Sequence, residues 1–232
     1  MKHDFAAPVG SGLRAFSFLG RAIRVIAYID GFNLYHAVKD TGARHHQWLD
    51  LWSLCEVFAP KSHFELKEVC YFSAYATWLP DAYKRHREYV KALKSCGVTP
   101  ILAQFKEKSR GCTKCGSRWI AHEEKETDVS IAVRMLDDAY RDRFDRALLV
   151  SGDSDLSPPI RMVIDRFPKK QVRVLTPIGR NHSWALVNAA GGLKCAKKIG
   201  RTHLDMSLLP KQVVDSNGEI VATRPKLYDP PA

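Results

Sequence analysis

The feature that most limits how this chain can fold is a series of short, almost uninterrupted apolar runs separated by helical segments. Five of these runs predict strands, at 25–29, 66–76, 98–105, 147–150 and 171–177. A helix predicted over 80–96 is typical of the intervening segments, with Pro80 in its first turn and Gly97 as its stop. Continuous apolar strands that alternate with helices favour an α/β protein with a mostly parallel sheet covered on both faces.

The longest predicted helix runs over 123–141 and carries an apolar stripe. Its apolar residues recur at i, i+3, i+4 and i+7, at Val129, Ala132, Val133, Leu136 and Tyr140. We expect this stripe to face the sheet, with Asp128 at its border.

Aspartates follow two of the predicted strands. Asp30 ends the run at 25–29, and Asp153 and Asp155 follow the run at 147–150 in the stretch LLVSGDSDLSPPI. Ligands of such sheets bind at the carboxyl ends of the strands, so we expect these residues and Asp128 to share one crevice. Taken singly, Asp153 could be a turn residue, Asp155 a helix cap and Asp128 a surface charge.

Converging carboxylates repel one another unless they are protonated or hold a cation. Oxygen ligands without histidine suit Mg²⁺ or Mn²⁺, and either ion can orient a phosphate and activate water. The four aspartates therefore predict a divalent-metal site.

The charge balance narrows the class of partner. The 232 residues include 36 Lys and Arg and 25 Asp and Glu, which gives a net charge of +11 and predicts a polyanionic partner, nucleic acid first.

No apolar run reaches about 18 residues, so no membrane span is expected, and the scattered cysteines favour a reduced, cytoplasmic protein. The stretch after the first strand lacks both the D-x-D of haloacid-dehalogenase-type phosphatases and the G-x-G-x-x-G of dinucleotide enzymes.

Three stretches in this order, AYIDGFNLYH, EEKETDVSIAV and LLVSGDSDLSPPI, resemble the acidic motifs of the NYN domain family, in the LabA-like branch of the PIN-like nuclease superfamily. The resemblance spans roughly residues 24–190. It implies a compact, three-layer α/β/α, PIN-like fold and a divalent-metal-dependent ribonuclease. Metal-binding or water-activating roles are implied for Asp30, Asp128, Asp153 and Asp155, and Asn33 is expected to position phosphate or water.

The sequence is compatible with two functions. One is a ribonuclease that uses Mg²⁺ or Mn²⁺ to hydrolyse RNA, with single-stranded DNA as a further substrate. The other is an RNA-binding or adaptor module with a weak or silent PIN-like site. Metal-dependent cleavage separates the two.

The pair Cys112-x-x-Cys115 resembles half of a zinc knuckle. Tetrahedral Zn²⁺ needs four ligands, and only His122 is a nearby third candidate. The fourth would come from elsewhere or from a second chain, which would make a homodimer; the alternative is a reduced surface turn.

Basic residues suggest where RNA would lie. Lys106, Lys108, Arg110 and Arg118 lead into the Asp128 helix and could form one wall of a groove, and Arg180 precedes a predicted helix that starts near Ser183.

The expected organisation has three parts. A leader covers 1–22, a nuclease domain covers 23–200 with the C-x-x-C insertion at 106–122, and a C-terminal hairpin and tail cover 201–232. The hairpin is signalled by Asn217-Gly218.

Overall fold

The computed structural model describes residues 21–231, so the predicted leader lies outside the described residues except for Arg21 and Ala22. A seven-stranded sheet in the order β4-β3-β2-β1-β5-β6-β7 dominates the structure. All neighbouring pairs are parallel except β3 and β4, which confirms the mostly parallel sheet. The strands are β1 Ile23–Asp30, β2 Phe64–Ala74, β3 Thr99–Gly111, β4 Arg118–Lys125, β5 Arg146–Val150, β6 Gln171–Thr176 and β7 Ala196–Lys198, and a separate pair is formed by β8 Gln212–Val214 and β9 Ile220–Thr223.

Within residues 21–231, seven α-helices connect the strands: α1 Gly31–Asp40, α2 Leu51–Phe58, α3 Pro80–Ser95, α4 Thr127–Tyr140, α5 Ser157–Arg166, α6 Trp184–Ala189 and α7 Arg201–Asp205. Short 3-10 helices lie at Arg44–Gln47, Ser154–Leu156, Leu193–Cys195 and Lys226–Tyr228. In the described part of the chain, no helix is long and apolar enough to cross a bilayer.

The alternation of side chains along β1 divides the helices between two faces. Val25, Ala27 and Ile29 pack in one core with residues of α1, α2, α3 and α7. Ile26 and Tyr28 point to the other face and pack with residues of α4, α5 and α6. The predicted three-layer α/β/α architecture is therefore confirmed.

The helix predicted over 123–141 is shorter than expected and rotated about its axis. Residues 123–125 belong to β4, and α4 has 14 residues against 16 in α3, which is the longest helix described. Its buried face is formed by Thr127, Ile131, Met135, Asp138 and Ala139. The predicted stripe was wrong, since Val129, Val133 and Tyr140 are each more than 60% exposed.

A buried carboxylate explains the rotation of α4. Asp138 is fully buried and accepts hydrogen bonds from Tyr28 Oη at 2.9 Å, Arg134 Nε at 2.8 Å and Arg143 Nη1 at 2.6 Å. A buried charge is tolerated only when it is paired and hydrogen-bonded, and this network supplies both. The network holds Asp138 inward and turns Val129 and Val133 to solvent.

The predicted insertion at 106–122 is a β-hairpin. Strand β3 continues past residue 105, and β4 pairs with it in antiparallel register from Gln104↔Lys125 to Gly111↔Arg118. The C-x-x-C pair therefore lies at the hairpin tip, in the turn between the two strands.

The C-terminal residues pack on the fold instead of leaving it as a tail. Strands β8 and β9 pair as Asn217-Gly218 predicts, and Val213 and Ala222 join a third core with Trp48. Tyr228 is buried in the same core.

Candidate functional site

An acidic cleft of about 320 Å³ opens at the carboxyl ends of β1 and β5. Three of the predicted carboxylates reach it, from β1, from the start of α4 and from the loop after β5. Its lining consists of Asp30, Phe32, Asn33, His36, Glu124, Thr127, Asp128, Asp153 and Arg180. The topology therefore brings together side chains that are about 100 residues apart in sequence.

Asp30 lies deepest in this cleft. It is 4% exposed, ends β1 and caps α1, because its Oδ1 accepts the backbone N–H of Asn33 at 3.0 Å. Its Oδ2 accepts the hydroxyl of Ser151 at 2.9 Å. Burial raises the pKa of Asp30, and the two hydrogen bonds oppose that rise by favouring the ionised form.

Asn33 links the loops that follow β1 and β5. Its Oδ1 accepts the N–H of Gly152 at 3.0 Å, and the Ser151 hydroxyl accepts the N–H of Asp153 at 3.0 Å. A Cβ at Gly152 would lie 3.2 Å from Asn33 Oδ1, which is a tight contact. Asn33 therefore positions the Asp153 loop through the protein backbone.

Close packing also fixes the start of α1. A Cβ on Gly31 would lie 2.5 Å from the carbonyl oxygen of Phe72 and 2.6 Å from the ring of Tyr71. Only glycine lets α1 begin this close to β2, and this approach sets the position of Asp30.

Asp128 stands in the first turn of α4 and is half-buried. Its pKa is raised to about 6, by burial first and then by the negative charges of Asp153, Asp30, Glu124 and Asp155, in that order. The like charges of the cleft therefore act on this carboxyl in particular.

Asp153 and Asp155 do not occupy equivalent places. Asp153 lines the cleft, and its Oδ1 accepts the N–H of Asp155 at 2.9 Å, which caps the 3-10 helix Ser154–Leu156. Asp155 is exposed and lies outside the cleft lining.

Glu124 is a cleft residue that the sequence reasoning missed. It lies in β4, and its Oε1 accepts the N–H of Thr127 at 3.1 Å and also the hydroxyl of Thr127. The E-x-x-T-D spacing in EEKETDVSIAV was the available signal, but the predicted helix over 123–141 concealed it.

The predicted basic wall is largely paired with acidic side chains. Lys108 and Arg110 both pair with Glu123, and Lys106 lies 3.7 Å from Glu126. Arg118 sits at the exposed tip of the hairpin. Of the five predicted RNA contacts, Arg180 alone lines the cleft, where it also pairs with Asp40 at 2.5 Å.

His122 does not lie beside the cysteine pair. It pairs with Glu107 in the hairpin, four residue pairs below Gly111↔Arg118, or about 14 Å along the strands. Its ring stacks on Trp78 with the centroids 3.7 Å apart. At the tip, a hydrogen bond with Ser117 lowers the pKa of the Cys115 thiol to about 7.

A histidine group outside the acidic cleft has the tightest spacing of potential metal ligands. Within residues 21–231, His45, His46 and Asp205 are the one set of three such groups whose ligand atoms all lie within 4.8 Å. The cleft carboxylates are more widely spaced, and their donor atoms are oxygens, the type that Mg²⁺ and Mn²⁺ prefer.

Comparison with known proteins indicates the same family as the three acidic motifs. A solved structure of a protein of unknown function from Vibrio parahaemolyticus superposes with a TM-score of 0.52 at 21% identity, over 81% of this chain and 97% of that one, which is a likeness of fold. No curated protein matches the chain significantly. The family model described as NYN domain matches residues 24–193, most of the chain. This chain therefore belongs to the NYN domain family, within the PIN-like nuclease superfamily.

Proposed function

We propose that this protein is a divalent-metal-dependent ribonuclease that hydrolyses phosphodiester bonds in the acidic cleft. The observation that carries the proposal is the convergence of Asp30, Asp128 and Asp153 on one crevice from β1, α4 and the loop after β5. Within the described residues these carboxylates have no ion-pair partner, and a purely structural role would not require three of them to meet at the edge of a sheet.

Asp30, Asp128 and Asp153 are the residues that would hold the metal, with Glu124 beside them. The fit rests on their oxygen donors and on the raised pKa of Asp128, since a bound cation would offset the repulsion that helps to raise it. Mg²⁺ or Mn²⁺, when bound, supplies positive charge that orients the phosphate and lowers the pKa of water. Asp155, at the exposed rim, is the weakest candidate ligand of the four predicted aspartates.

The chain's own residues would transfer the proton, position the carboxylates and bind the phosphate. Asp128, which reaches the cleft from the first turn of α4, would accept a proton from the attacking water. Asp30 and the Asp153 loop are held in place by Asn33 and Ser151 before any substrate arrives. Arg180 supplies a positive charge at the cleft for a phosphate oxygen.

The experiment measures cleavage of end-labelled RNA and single-stranded DNA by the purified full chain in Mn²⁺, in Mg²⁺ and in chelator. We expect metal-dependent cleavage of RNA and a loss of at least about 100-fold in Asp153→Asn, since this carboxylate would help to hold the metal that orients the phosphate. Asparagine keeps an oxygen for the N–H of Asp155, so the fold should persist.

Asp165→Asn is the matched control, because Asp165 is an exposed carboxylate on α5 outside the cleft. It should cleave as the parent does. RNA binding without cleavage in either metal, equal in the parent and both variants, would instead favour an adaptor with a silent site.

A further inference from the structure

A second cavity adjoins the acidic cleft and has no role in the mechanism above. Its volume is about 360 Å³, within the range of about 300–1,000 Å³ of small-molecule sites. It lies between α1, the first half of α3 and the end of β2. Phe32 and His36 line both the cavity and the cleft, so the two spaces meet at these side chains.

Aromatic rings dominate the walls of this cavity. The ring-bearing residues beyond the shared pair include Tyr35, Tyr71, Trp78, Tyr89 and Tyr228. Trp78 is held by stacking on His122 at 3.7 Å and by an edge contact with Phe105 at 4.6 Å. Aromatic rings that are fixed by their neighbours offer stacking surfaces to any planar ligand.

Two of the lining residues carry a buried polar atom without a hydrogen-bond partner. Within residues 21–231, Arg85 Nε and His46 Nδ1 are buried and make no hydrogen bond. Such atoms are costly unless a ligand or water pairs with them. Burial lowers the pKa of the neighbouring His86 to about 4, so this imidazole is neutral at pH 7.

We propose that the cavity binds one unstacked nucleobase of the strand whose backbone lies in the acidic cleft. That a nucleic-acid strand lies in the cleft rests on the proposed function. Base edges carry hydrogen-bond donors and acceptors for Arg85 and His46, and base faces match the aromatic walls. An aliphatic lipid chain would leave both polar atoms unpaired, and the continuity through Phe32 and His36 points to a ligand that occupies both spaces.

The proposal has a consequence for substrate choice. A base can enter the cavity only when it is out of a helical stack, so single-stranded RNA or DNA is the expected substrate form. A base anchored here would also set a fixed distance to the bond that lies at Asp30 and Asp153.

Base binding can be measured without cleavage. The ¹⁵N-labelled full chain is titrated with the four 5′-mononucleotides and with ribose 5-phosphate, and the indole N–H of Trp78 is followed by NMR. We expect at least one mononucleotide to bind about 10-fold more tightly than ribose 5-phosphate, because only the nucleotide has a base to stack.

Ala82, on α3, lines the cavity and allows a matched pair of variants. Ala82→Phe fills the space and should weaken mononucleotide binding about 10-fold, whereas the same substitution at Ala185, an exposed residue on α6 outside both linings, should leave binding as in the parent. If Ala82→Phe misfolds, Tyr35→Ala serves instead, since Tyr35 is 42% exposed and its loss should weaken binding several-fold.

Three outcomes would refute the proposed base pocket. Ribose 5-phosphate could bind as tightly as every mononucleotide, saturable binding could be absent, or a folded Ala82→Phe variant could keep full affinity for mononucleotides. Cleavage without base-dependent binding would refute the pocket and leave the nuclease standing. Base-dependent binding without cleavage would support the pocket and refute the nuclease.

Discussion

Replacing Asp128 by asparagine should make the metal-free protein more stable at neutral pH. In the folded chain, burial and four neighbouring carboxylates raise the pKa of Asp128 from 3.8 to about 6. The ionised form is therefore less favourable folded than unfolded, and asparagine, which cannot ionise, escapes this cost.

The magnitude follows from the pKa. A rise from 3.8 to about 6 corresponds to roughly 3 kcal/mol. Since Asp128 is only half-buried, solvent screening reduces this to about 1–2 kcal/mol. A charge in the first turn of α4 also gains about 0.3–1 kcal/mol from the helix dipole, which asparagine loses. Burial and repulsion outweigh the helix-dipole contribution, so the free energy of unfolding of Asp128→Asn should exceed that of the parent by about 1 kcal/mol, or roughly 2–4 °C in Tm.

The pH dependence has a definite sign. Below about pH 4, Asp128 is protonated in both the folded and the unfolded chain, so parent and variant should be equally stable. The cost to the parent grows as the pH rises from about 4 to about 6 and is complete above that value.

Thermal melts of parent and Asp128→Asn in chelator, from pH 4.5 to pH 7.5, measure this difference. Asp137→Asn is the control, because Asp137 lies on the same helix and pairs with Arg141 at its exposed face. The control should lose a few tenths of a kcal/mol. A variant that is less stable than the parent at pH 7.5, or a gain that does not change with pH, would refute the reasoning.

Three further predictions address the cleft and the hairpin tip. Gly31→Ala should cost about 1–3 kcal/mol, because its Cβ would meet a backbone oxygen at 2.5 Å, and a Tm equal to that of the parent would contradict this. Arg180→Ala should lower the slope of log affinity for RNA against log salt by about 1, measured by fluorescence anisotropy, whereas Lys197→Ala, outside the cleft lining, should not. The double variant Cys112→Ser, Cys115→Ser should have the same Tm as the parent, because the described residues bring no third metal ligand to these thiols. One mole of zinc per chain in metal analysis, together with a lower Tm in the variant, would show a structural metal site instead.

Much of the site could be predicted because it depends on local pattern. Asp30 and Asp153 follow buried apolar strands, and parallel strands must end at a common edge. The inferences for Asp30 and Asp153 required no knowledge of which helix face is buried. The inference for Asp128 did require it, because it was argued from a predicted stripe that is exposed in the structure, although Asp128 does line the cleft.

The rotation of α4 could not be predicted in the same way. Its apolar residues at 129, 133 and 140 predicted that their face of the helix would be buried. Asp138 faces inward instead, because Tyr28 and Arg143 donate hydrogen bonds to its carboxylate. Those partners come from other elements, and their position depends on the tertiary structure. The aromatic cavity was missed for the same reason, since its lining combines α1, β2, α3 and Tyr228 from the far end of the chain.

The central position of β1 has a consequence for synthesis on the ribosome. Val25 pairs with Arg146, so 121 residues separate β1 from one of its two neighbours in the sheet. At about 5–20 residues per second, roughly 6–24 seconds pass between the translation of the two strands. Throughout that interval one edge of a strand whose central residues, 25–29, are all apolar and buried has no partner, which is the condition under which nascent chains aggregate or recruit chaperones. Slow codons placed between residues 30 and 146 should therefore lower the soluble yield of this protein more than the same codons placed after residue 150.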